Sequence, residues 1–417
     1  MAVDERKPTP ESVFTPRAPV NPRMFARRDE GRLQQRFEDA LREPGSQMML
    51  YGDTGVGKTS LVLHVAHEMH LSVARIECFS GKSFNDLLSD AFAAIAEVQE
   101  LRIEVATTRS GSAEVSGGGG LGMLAFLKGT LRADAGATET RGFEVVQRPL
   151  IDALFEILVE AGRNIIFFDN FENVAEPDVK NKLAQFIGFA SDRAEETGNV
   201  KVIIAGIADT AADLLSMSSA ASRRTVDFEV PRMPSQELEF ILDTGMAILD
   251  LAIGSREMDR IVELSDGFPY VVHLLALHAA RSAKRADRNE VTDDDVSSAV
   301  ESAVSEFREE FSRSVELAVE RSGNVRPRQH IMRALAHATG RDFSTAEVRD
   351  LYRSRFNIDQ SLAFLNVPLG GLLTAQKGAV LRRRGSRRRY RYGFRNPLMR
   401  PYILMLEQNT EELNLPL

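Results

Sequence analysis

The most constraining feature of this chain is the segment GDTGVGKT at residues 52–59. It follows the apolar run QMMLY and precedes LVLHVAHEMH, which has the pattern of a helix. The segment fits G-x-x-x-x-G-K-[ST], in which glycines let successive backbone N–H groups turn towards an anion. An ordinary glycine-rich turn before a helix is the alternative, but a strand, loop and helix in this order favour a phosphate-binding loop. The residues predicted to contact nucleotide here are Asp53, Thr54, Gly55, Val56, Gly57, Lys58, Thr59 and Ser60.

The end of this loop carries side chains suited to a magnesium nucleotide. Lys58 is predicted to reach the outer phosphates, and the Thr59 hydroxyl to bind Mg²⁺, which prefers hard oxygen ligands. Asp169 ends the apolar run of NIIFFDN and is predicted to hold the same ion through water. Its alternative role is that of a helix-capping residue. We therefore expect ATP or ADP with Mg²⁺ as cofactors.

Short apolar runs alternate with helical patterns from residue 47 to about residue 231. The five runs predicted to be buried strands are QMMLYG, SVARIECF, NIIFFDN, VKVIIAGIA and TVDFEV. Strands that alternate with helices predict a doubly wound parallel α/β sheet, here the P-loop ATPase domain of residues 23–231. Its segment at about 104–145 contains four consecutive glycines and is predicted to be a flexible insert.

Three further segments flank this domain. Residues 1–22 are rich in Pro and polar residues and are predicted to be a disordered arm. Residues 232–322 have a helical pattern throughout and are predicted to form a helical lid. Residues 323–417 contain three predicted helices followed by a basic hairpin, the order of a winged helix-turn-helix.

Hydrolysis of ATP would require a base that orients water and a cation that meets charge on the γ-phosphate. Glu172 is the nearest candidate base to Asp169 along the chain. Arg223 and Arg224 precede the last strand and are candidate arginine fingers. The sequence does not choose between these two arginines, and a solvated loop position is an equal alternative.

The positive charge of this acidic chain is concentrated near its C-terminus. Residues 377–400 hold one Lys and nine Arg without an acid, so the rest of a chain of net charge −8 carries −18. The arginines predicted to contact DNA phosphates are Arg382, Arg383, Arg384, Arg387, Arg388, Arg389 and Arg391. Binding of a protein, or of the chain's own acidic part, is the alternative. The preceding helix contains Pro368 and two glycines, so sequence-specific base reading has little support.

Composition narrows the cellular setting. A length of 417 residues predicts two or three domains, and no apolar run is long enough to span a bilayer. The N-terminus lacks the apolar core of a signal peptide, and Cys78 has no second cysteine to pair with. These features predict a soluble, cytoplasmic protein that does not associate with membranes. We interpret His64, His67 and His70 as surface or core residues, since no other ligand type completes a metal site.

These pieces together resemble an AAA+ ATPase of the replication-initiator group, with traits of STAND signalling ATPases. The resemblance rests on MFARRDEGRLQQRFEDAL, the phosphate loop, FFDNFE, VIIAGIAD, SRR, GFPY and the terminal winged helix. It places Phe25 and Arg28 beside the adenine, Asp209 at the polar sensor position and Pro269 against the nucleotide. It departs from that pattern at Asn170, where a catalytic Glu normally follows the Walker B Asp, and at Tyr270, where initiators carry a sensor arginine.

The resemblance implies an ATP-dependent switch that oligomerises head to tail, as a ring or filament, because an arginine finger would act on the neighbouring subunit. The main hypothesis is therefore an ATPase that binds DNA through the winged helix. The alternative is a hydrolytically weak signalling scaffold, as in defence or stress systems, whose winged helix and insert bind protein partners.

Overall fold

The computed structural model describes residues 7–94, 151, 154–159, 162, 164–208, 210–214, 222–319, 326–358, 360–386 and 389–408. The predicted insert at about 104–145 lies outside the described residues, as do Asp209, Arg387 and Arg388. The chain divides into two compact units. The sheet unit comprises Arg27–Asp53 and Gly57–Pro231, and the helical unit comprises Met1–Ala26, Thr54–Val56 and Arg232–Leu417.

Five strands of the described residues form one sheet in the sheet unit. They are β1 (Gln47–Tyr51), β2 (Val73–Glu77), β3 (Ile165–Asp169), β4 (Lys201–Gly206) and β5 (Thr225–Glu229). Their order is β2-β3-β4-β1-β5, and each neighbouring pair is parallel. β3 and β4 are buried throughout, whereas the edge strand β2 alternates between buried and accessible residues. This arrangement confirms the predicted α/β P-loop fold.

Helices of the sheet unit connect these strands and supply its core. Those with defined ends are Arg32–Arg42, Lys58–Glu68, Pro177–Asp192 and Ala211–Leu214, and residues 84–94 and 154–159 are also helical. Phe186 lies between two other aromatic rings: it stacks on Phe155 at a centroid distance of 5.5 Å and meets Phe168 edge-on at 6.3 Å. Such packing holds β3 in place and, with it, the residue at its carboxyl end.

The first part of the helical unit after Pro231 contains four helices. They are Ser235–Ile248, Ser255–Ser265, Pro269–Arg285 and Asp293–Val319. Two short strands, β6 (Ala252–Ile253) and β7 (Glu290–Val291), pair in parallel, which the helical sequence pattern did not predict. Asp266 and Gly267 have φ of 48° and 81°, and this left-handed turn ends one helix shortly before the next begins at Pro269.

The N-terminal segment differs from its prediction. Residues Pro10–Val13 form a helical turn, which a capping box between Thr9 and Ser12 stabilises. Phe14 is fully buried and contacts His273 edge-on, and the Thr15 backbone N–H donates to His273 Nδ1 at 3.2 Å. Burial lowers the pKa of His273 to about 4, so the ring is a neutral acceptor. The predicted disorder is therefore wrong for residues 7–22, in which Val13 and Phe14 are buried.

The C-terminal part of the helical unit contains the helices Pro327–Ala336, Thr345–Phe356, Leu362–Leu372 and Met399–Gln408. A small antiparallel sheet accompanies them: β8 (Phe343–Ser344), β9 (Leu381–Arg384) and β10 (Arg391–Phe394), in the order β8-β10-β9. Three helices followed by a basic hairpin are thus present. The helix Leu362–Leu372 continues through Pro368. Arg400 Nη1 lies 3.2 Å from Asp266 Oδ1, so residues on both sides of position 322 share one unit.

No helix among the described residues has the length and apolar character needed to cross a membrane.

Candidate nucleotide-binding site

The phosphate loop follows β1, which lies between β4 and β5 in the sheet. Gly55 and Gly57 have φ of 73° and 93°, values at which a side chain is strained. The helix Lys58–Glu68 begins immediately after Gly57. The two left-handed glycines let the chain turn sharply from strand to helix, which leaves the amino end of that helix facing the loop.

The Lys58 ammonium is held by the loop itself. Its Nζ donates to the carbonyl oxygens of Asp53 and Gly52 at 2.8 and 3.1 Å. Burial lowers the pKa of Lys58, while the charges of Glu172, Asp169 and Asp53 oppose this shift. The ammonium therefore has only uncharged hydrogen-bond acceptors in the loop, and an anionic phosphate would bind it more strongly than these carbonyls do.

The predicted magnesium ligands are in contact. Thr59 Oγ1 donates to Asp169 Oδ2 at 2.8 Å, and Asp169 is 2% exposed at the carboxyl end of β3. The structure thereby brings together two residues 110 positions apart in the chain. Asp169 precedes the short 3₁₀ turn Phe171–Asn173 without capping it, since that turn has no side-chain cap.

These two residues fit a magnesium ion that a nucleotide carries. A hydroxyl and a carboxylate are hard oxygen donors, and Mg²⁺ in such sites takes its other ligands from phosphates and water. Among the described residues no group of three or more His, Cys, Asp or Glu side chains could hold a metal ion. The chain's own contribution to the ion would accordingly be the pair Thr59 and Asp169.

A third side chain joins this pair and was missed by the sequence analysis. Arg75 of β2 donates to Asp169 Oδ2 through Nε at 3.0 Å and Nη2 at 2.8 Å. The signal was the alternation in VARIE, which places Arg75 and Glu77 on the same face of an edge strand. Nothing in that alternation indicates that strand β3 pairs alongside β2.

The candidate base Glu172 lies in the turn after β3. Its Oε2 accepts a hydrogen bond from the backbone N–H of Ile207 at 2.9 Å, which ties it to the end of β4. The residue itself is exposed, and its charge acts on Lys58. Asn170 directly follows Asp169 in a left-handed conformation, and its N–H donates to Asp169 Oδ1 at 3.1 Å.

The two candidate fingers differ in their surroundings. Arg224 Nη2 donates to Asp192 Oδ1 at 2.6 Å, whereas Arg223 is exposed to solvent. An arginine finger must be available to a neighbouring subunit. Arg223 is therefore the more accessible of the two candidates.

Within the helical unit, the middle of the phosphate loop contacts the start of the helix Pro269–Arg285. The Tyr270 backbone N–H donates to the Gly55 carbonyl oxygen at 3.4 Å, and a Cβ placed on Gly55 would lie 3.1 Å from Tyr270 Cβ. Pro269 occupies the first turn of this helix, where its missing N–H costs no hydrogen bond. Tyr270, noted in the sequence only as a departure, is thus a direct neighbour of the loop.

Three residues from the resemblance have separate positions. Phe25 is largely buried in the helical unit. Arg28 is 2% exposed in the sheet unit, where its guanidinium donates to the Pro231 carbonyl oxygen and its backbone N–H to Gln34 Oε1 at 3.1 Å. Asp209 lies outside the described residues. The predicted contacts of these residues with the nucleotide stay predictions.

The hairpin arginines are partly engaged within the protein. Asp342 receives Arg384 Nη1 at 3.0 Å on Oδ2, and Arg382 Nε lies 3.5 Å from its Oδ1. The Asp342 carbonyl oxygen accepts from Arg391 at 3.2 and 2.6 Å. Arg383 and Arg389 are exposed, and the Arg383 guanidinium lies over the Tyr390 ring at 4.1 Å. Among the described arginines that were predicted to contact DNA, only Arg383 and Arg389 are both exposed and not in contact with Asp342.

Comparisons with known proteins give one family match and several similar structures. Residues 41–215 match the model of the AAA domain family. No curated protein matches the sequence.

A Walker-type ATPase of Pyrococcus abyssi is similar in structure, with 18% identity, coverage of 91% of this chain and 98% of that one, and a TM-score of 0.50. Cdc6p of Pyrobaculum aerophilum has 15% identity, coverages of 97% and 99%, and a TM-score of 0.47. The ORC1 protein of Aeropyrum pernix, solved with DNA, has 14% identity, coverages of 96% and 97%, and a TM-score of 0.44.

The domain match and the Pyrococcus structure confirm the predicted fold and the resemblance to AAA+ P-loop ATPases.

Proposed function

We propose that this chain binds ATP and ADP with Mg²⁺ at the phosphate loop, hydrolyses ATP, and uses the bound nucleotide as a conformational switch. The observation that carries the proposal is the hydrogen bond of 2.8 Å between Thr59 Oγ1 and Asp169 Oδ2. Thr59 directly follows Lys58 in the chain. A loop with two left-handed glycines, an ammonium group and two hard oxygen ligands together suit a triphosphate and its cation.

Calorimetry with ATP and ADP tests nucleotide binding. Lys58→Met removes the ammonium group, and we expect the affinity to fall about tenfold or more, since a charge-assisted hydrogen bond contributes about 1.5–3 kcal/mol. Lys284→Met is the matched control, because Lys284 is exposed in the last turn of the helix Pro269–Arg285. Absence of nucleotide uptake by the wild-type protein would overturn the proposal.

For hydrolysis, we assign the base to Glu172. Its bond to the Ile207 N–H orients the carboxyl group, and the residue is exposed, so that a water molecule can reach it. Magnesium, when bound, neutralises charge on the β- and γ-phosphates. Glu172→Gln should keep nucleotide affinity and lose turnover; equal turnover in this variant and the wild type would remove Glu172 from the mechanism.

Arg223 is the proposed finger, acting on the nucleotide of a neighbouring subunit. Exposure of Arg223, together with the ion pair of Arg224, supports this choice. Each site would then be completed by the next copy, which gives a ring or an open filament. Light scattering with a non-hydrolysable ATP analogue measures this assembly, and a protein that stays monomeric well above its nucleotide affinity would contradict it.

The proposed switch uses the contact between Gly55 and Tyr270. A phosphate that fills the loop would bias the conformation of residues 54–56, and Tyr270 of the predicted lid, in the helix Pro269–Arg285, contacts Gly55 in this segment. ATP and ADP differ only in the last phosphate. A difference between their contacts with the loop would therefore shift the conformational equilibrium of the predicted helical lid. Pro269, the preceding residue, is proposed to contact the nucleotide.

We also propose DNA as a partner of the C-terminal hairpin, in a winged helix-turn-helix. Exposure of Arg383 and Arg389 supports contact with the phosphate backbone, in which arginine gives affinity more readily than sequence choice. Arg382, Arg384 and Arg391, which contact Asp342, would instead keep the hairpin folded.

A second candidate function for the same segment is protein binding. The helix Leu362–Leu372 contains no charged residue, and its accessible face is apolar except for Asn366: Val367 is 80% exposed, Leu362 41% and Phe364 36%. Such a face suits a protein partner better than a DNA groove. It is the observation that favours the signalling scaffold over the DNA-binding ATPase.

A further inference from the structure

We propose that Arg75 acts as an internal counter-cation for Asp169, which competes with the divalent cation for that carboxylate. This inference rests on the proposed function, since it concerns the cation that accompanies the nucleotide. It assigns to Arg75 a positioning role that controls how much Mg²⁺ the protein needs.

Both oxygens of Asp169 are occupied by donors from the protein. Oδ2 accepts from Thr59 Oγ1 at 2.8 Å and from Arg75 Nη2 and Nε at 2.8 and 3.0 Å. Oδ1 accepts from the Asn170 N–H at 3.1 Å. A cation that also binds Thr59 approaches Oδ2, where three donors already use the lone pairs, so that the cation or its water must displace one of them.

Of these donors, Arg75 is the one that a cation would displace from Asp169 at the lowest cost in free energy. Thr59 is itself a predicted ligand of the cation, and the Asn170 N–H is fixed by the backbone. The guanidinium carries a positive charge, and two cations a few ångströms apart repel each other strongly when one of them is divalent. Arg75 is also 35% exposed, so its side chain can leave without opening the core.

Arg75 has an alternative acceptor on its own strand. Glu77 Oε1 lies 3.9 Å from Arg75 Nη2, and the Glu77 side chain is 51% exposed. Residues 75 and 77 lie on the same face of β2, so a small rotation of the guanidinium would turn it from Asp169 towards Glu77. The strand thus provides one acceptor for the metal-free state and another for the metal-bound state.

Without a cation, the pair stabilises the protein. Asp169 is 2% exposed, and a carboxylate at this depth is costly unless a charge and hydrogen bonds compensate it. The guanidinium supplies both at once. The same bond must be broken when the cation binds, so stability of the metal-free protein is gained at the expense of affinity for Mg²⁺.

The test measures ADP affinity as a function of Mg²⁺ concentration by calorimetry, on the full chain. Arg75→Gln keeps a polar side chain and removes the charge. The Mg²⁺ concentration that gives half of the increase in ADP affinity should then fall about tenfold, which corresponds to about 1.4 kcal/mol. Glu77→Gln removes the negative charge of the alternative acceptor and should raise that concentration. Shifts in opposite directions are not expected if Arg75 only supports the fold.

A second readout is the melting temperature with a metal chelator and with saturating Mg²⁺ and ADP. Arg75→Gln should melt at a lower temperature only in chelator, whereas a merely structural role would lower both values. If Arg75→Gln does not fold, Arg75→Lys, which keeps the charge with fewer donors, should give a smaller shift of the Mg²⁺ midpoint in the same direction.

The outcomes separate the two proposals. A wild-type protein that binds no ADP at any Mg²⁺ concentration would refute the proposed function. A wild-type protein that binds ADP, with an Arg75→Gln variant whose Mg²⁺ midpoint is unchanged or higher, would refute the role of Arg75 and leave the nucleotide site intact.

Discussion

The phosphate loop and the arginine hairpin are both predicted anion sites, and they use their cations differently. In the loop, Lys58 donates to two uncharged carbonyl oxygens of its own segment. In the hairpin, Arg382 and Arg384 face the Asp342 carboxylate, which neutralises part of their charge. The number of positive residues in the hairpin therefore overstates the charge that is available to a polyanion. In the loop, by contrast, the position of a single lysine in the motif is enough to predict an anion site.

The difference follows from the distance along the chain between the partners. The acceptors of Lys58 lie five and six residues before it, within the same loop. Asp342 lies 42 residues before Arg384 and reaches it only because β8 pairs with β10 and β10 with β9. Local partners are visible in a motif, and distant ones depend on the folded sheet.

The largest effect that would sharpen this comparison is expected at Gly55. Gly55→Ala adds a side chain at φ of 73° and 3.1 Å from Tyr270 Cβ, so we expect a loss of about 2–3 kcal/mol in unfolding free energy and a clear loss of nucleotide affinity. Denaturant unfolding and calorimetry measure the two quantities.

Gly81 provides the control for this substitution. Its φ is 83°, but a Cβ there would meet nothing within 4 Å. Gly81→Ala should cost about 1 kcal/mol from the backbone alone and leave nucleotide affinity unchanged. Equal effects at both glycines would show that the contact with Tyr270 contributes nothing.

A smaller effect is expected at Asp342. Asp342→Asn leaves Arg382 and Arg384 without their counter-charge, and the side chain is 16% exposed, so we expect a loss of about 1–2 kcal/mol in unfolding free energy. Asp350→Asn removes an exposed pair with Arg349 and should cost less than about 0.5 kcal/mol. If the two variants unfold alike, Asp342 is not the acid that organises the hairpin.

The smallest effect concerns DNA. Arg383→Ala and Arg389→Ala should each reduce the slope of log affinity against log salt by about 1, because each removes about one phosphate contact. Arg384→Ala should destabilise the hairpin with little change in that slope, since Arg384 already faces Asp342. Fluorescence anisotropy with duplex DNA at several salt concentrations measures the slopes. An affinity without salt dependence would favour protein binding at the helix Leu362–Leu372.

The fold and the centre of the nucleotide site could be predicted because their signals are local. Apolar runs revealed the strands, and the loop motif together with the apolar run before Asp169 singled out Thr59 and Asp169, which the structure places in contact. The N-terminal segment was predicted wrongly, since the burial of Phe14 beside His273 depends on a contact 259 residues away. Arg75 was missed because only the pairing of β2 with β3 brings its guanidinium to Asp169.

The sequence alone determined that a glycine-rich loop joins a buried strand to a helix, since those constraints act between adjacent residues. The tertiary structure decided where the charges go: Arg75 to Asp169, Arg224 to Asp192, and the hairpin arginines to Asp342. Arginine side chains are long and find acids on any neighbouring strand or helix. Their partners therefore follow from strand order and packing, which spacing along one segment does not specify.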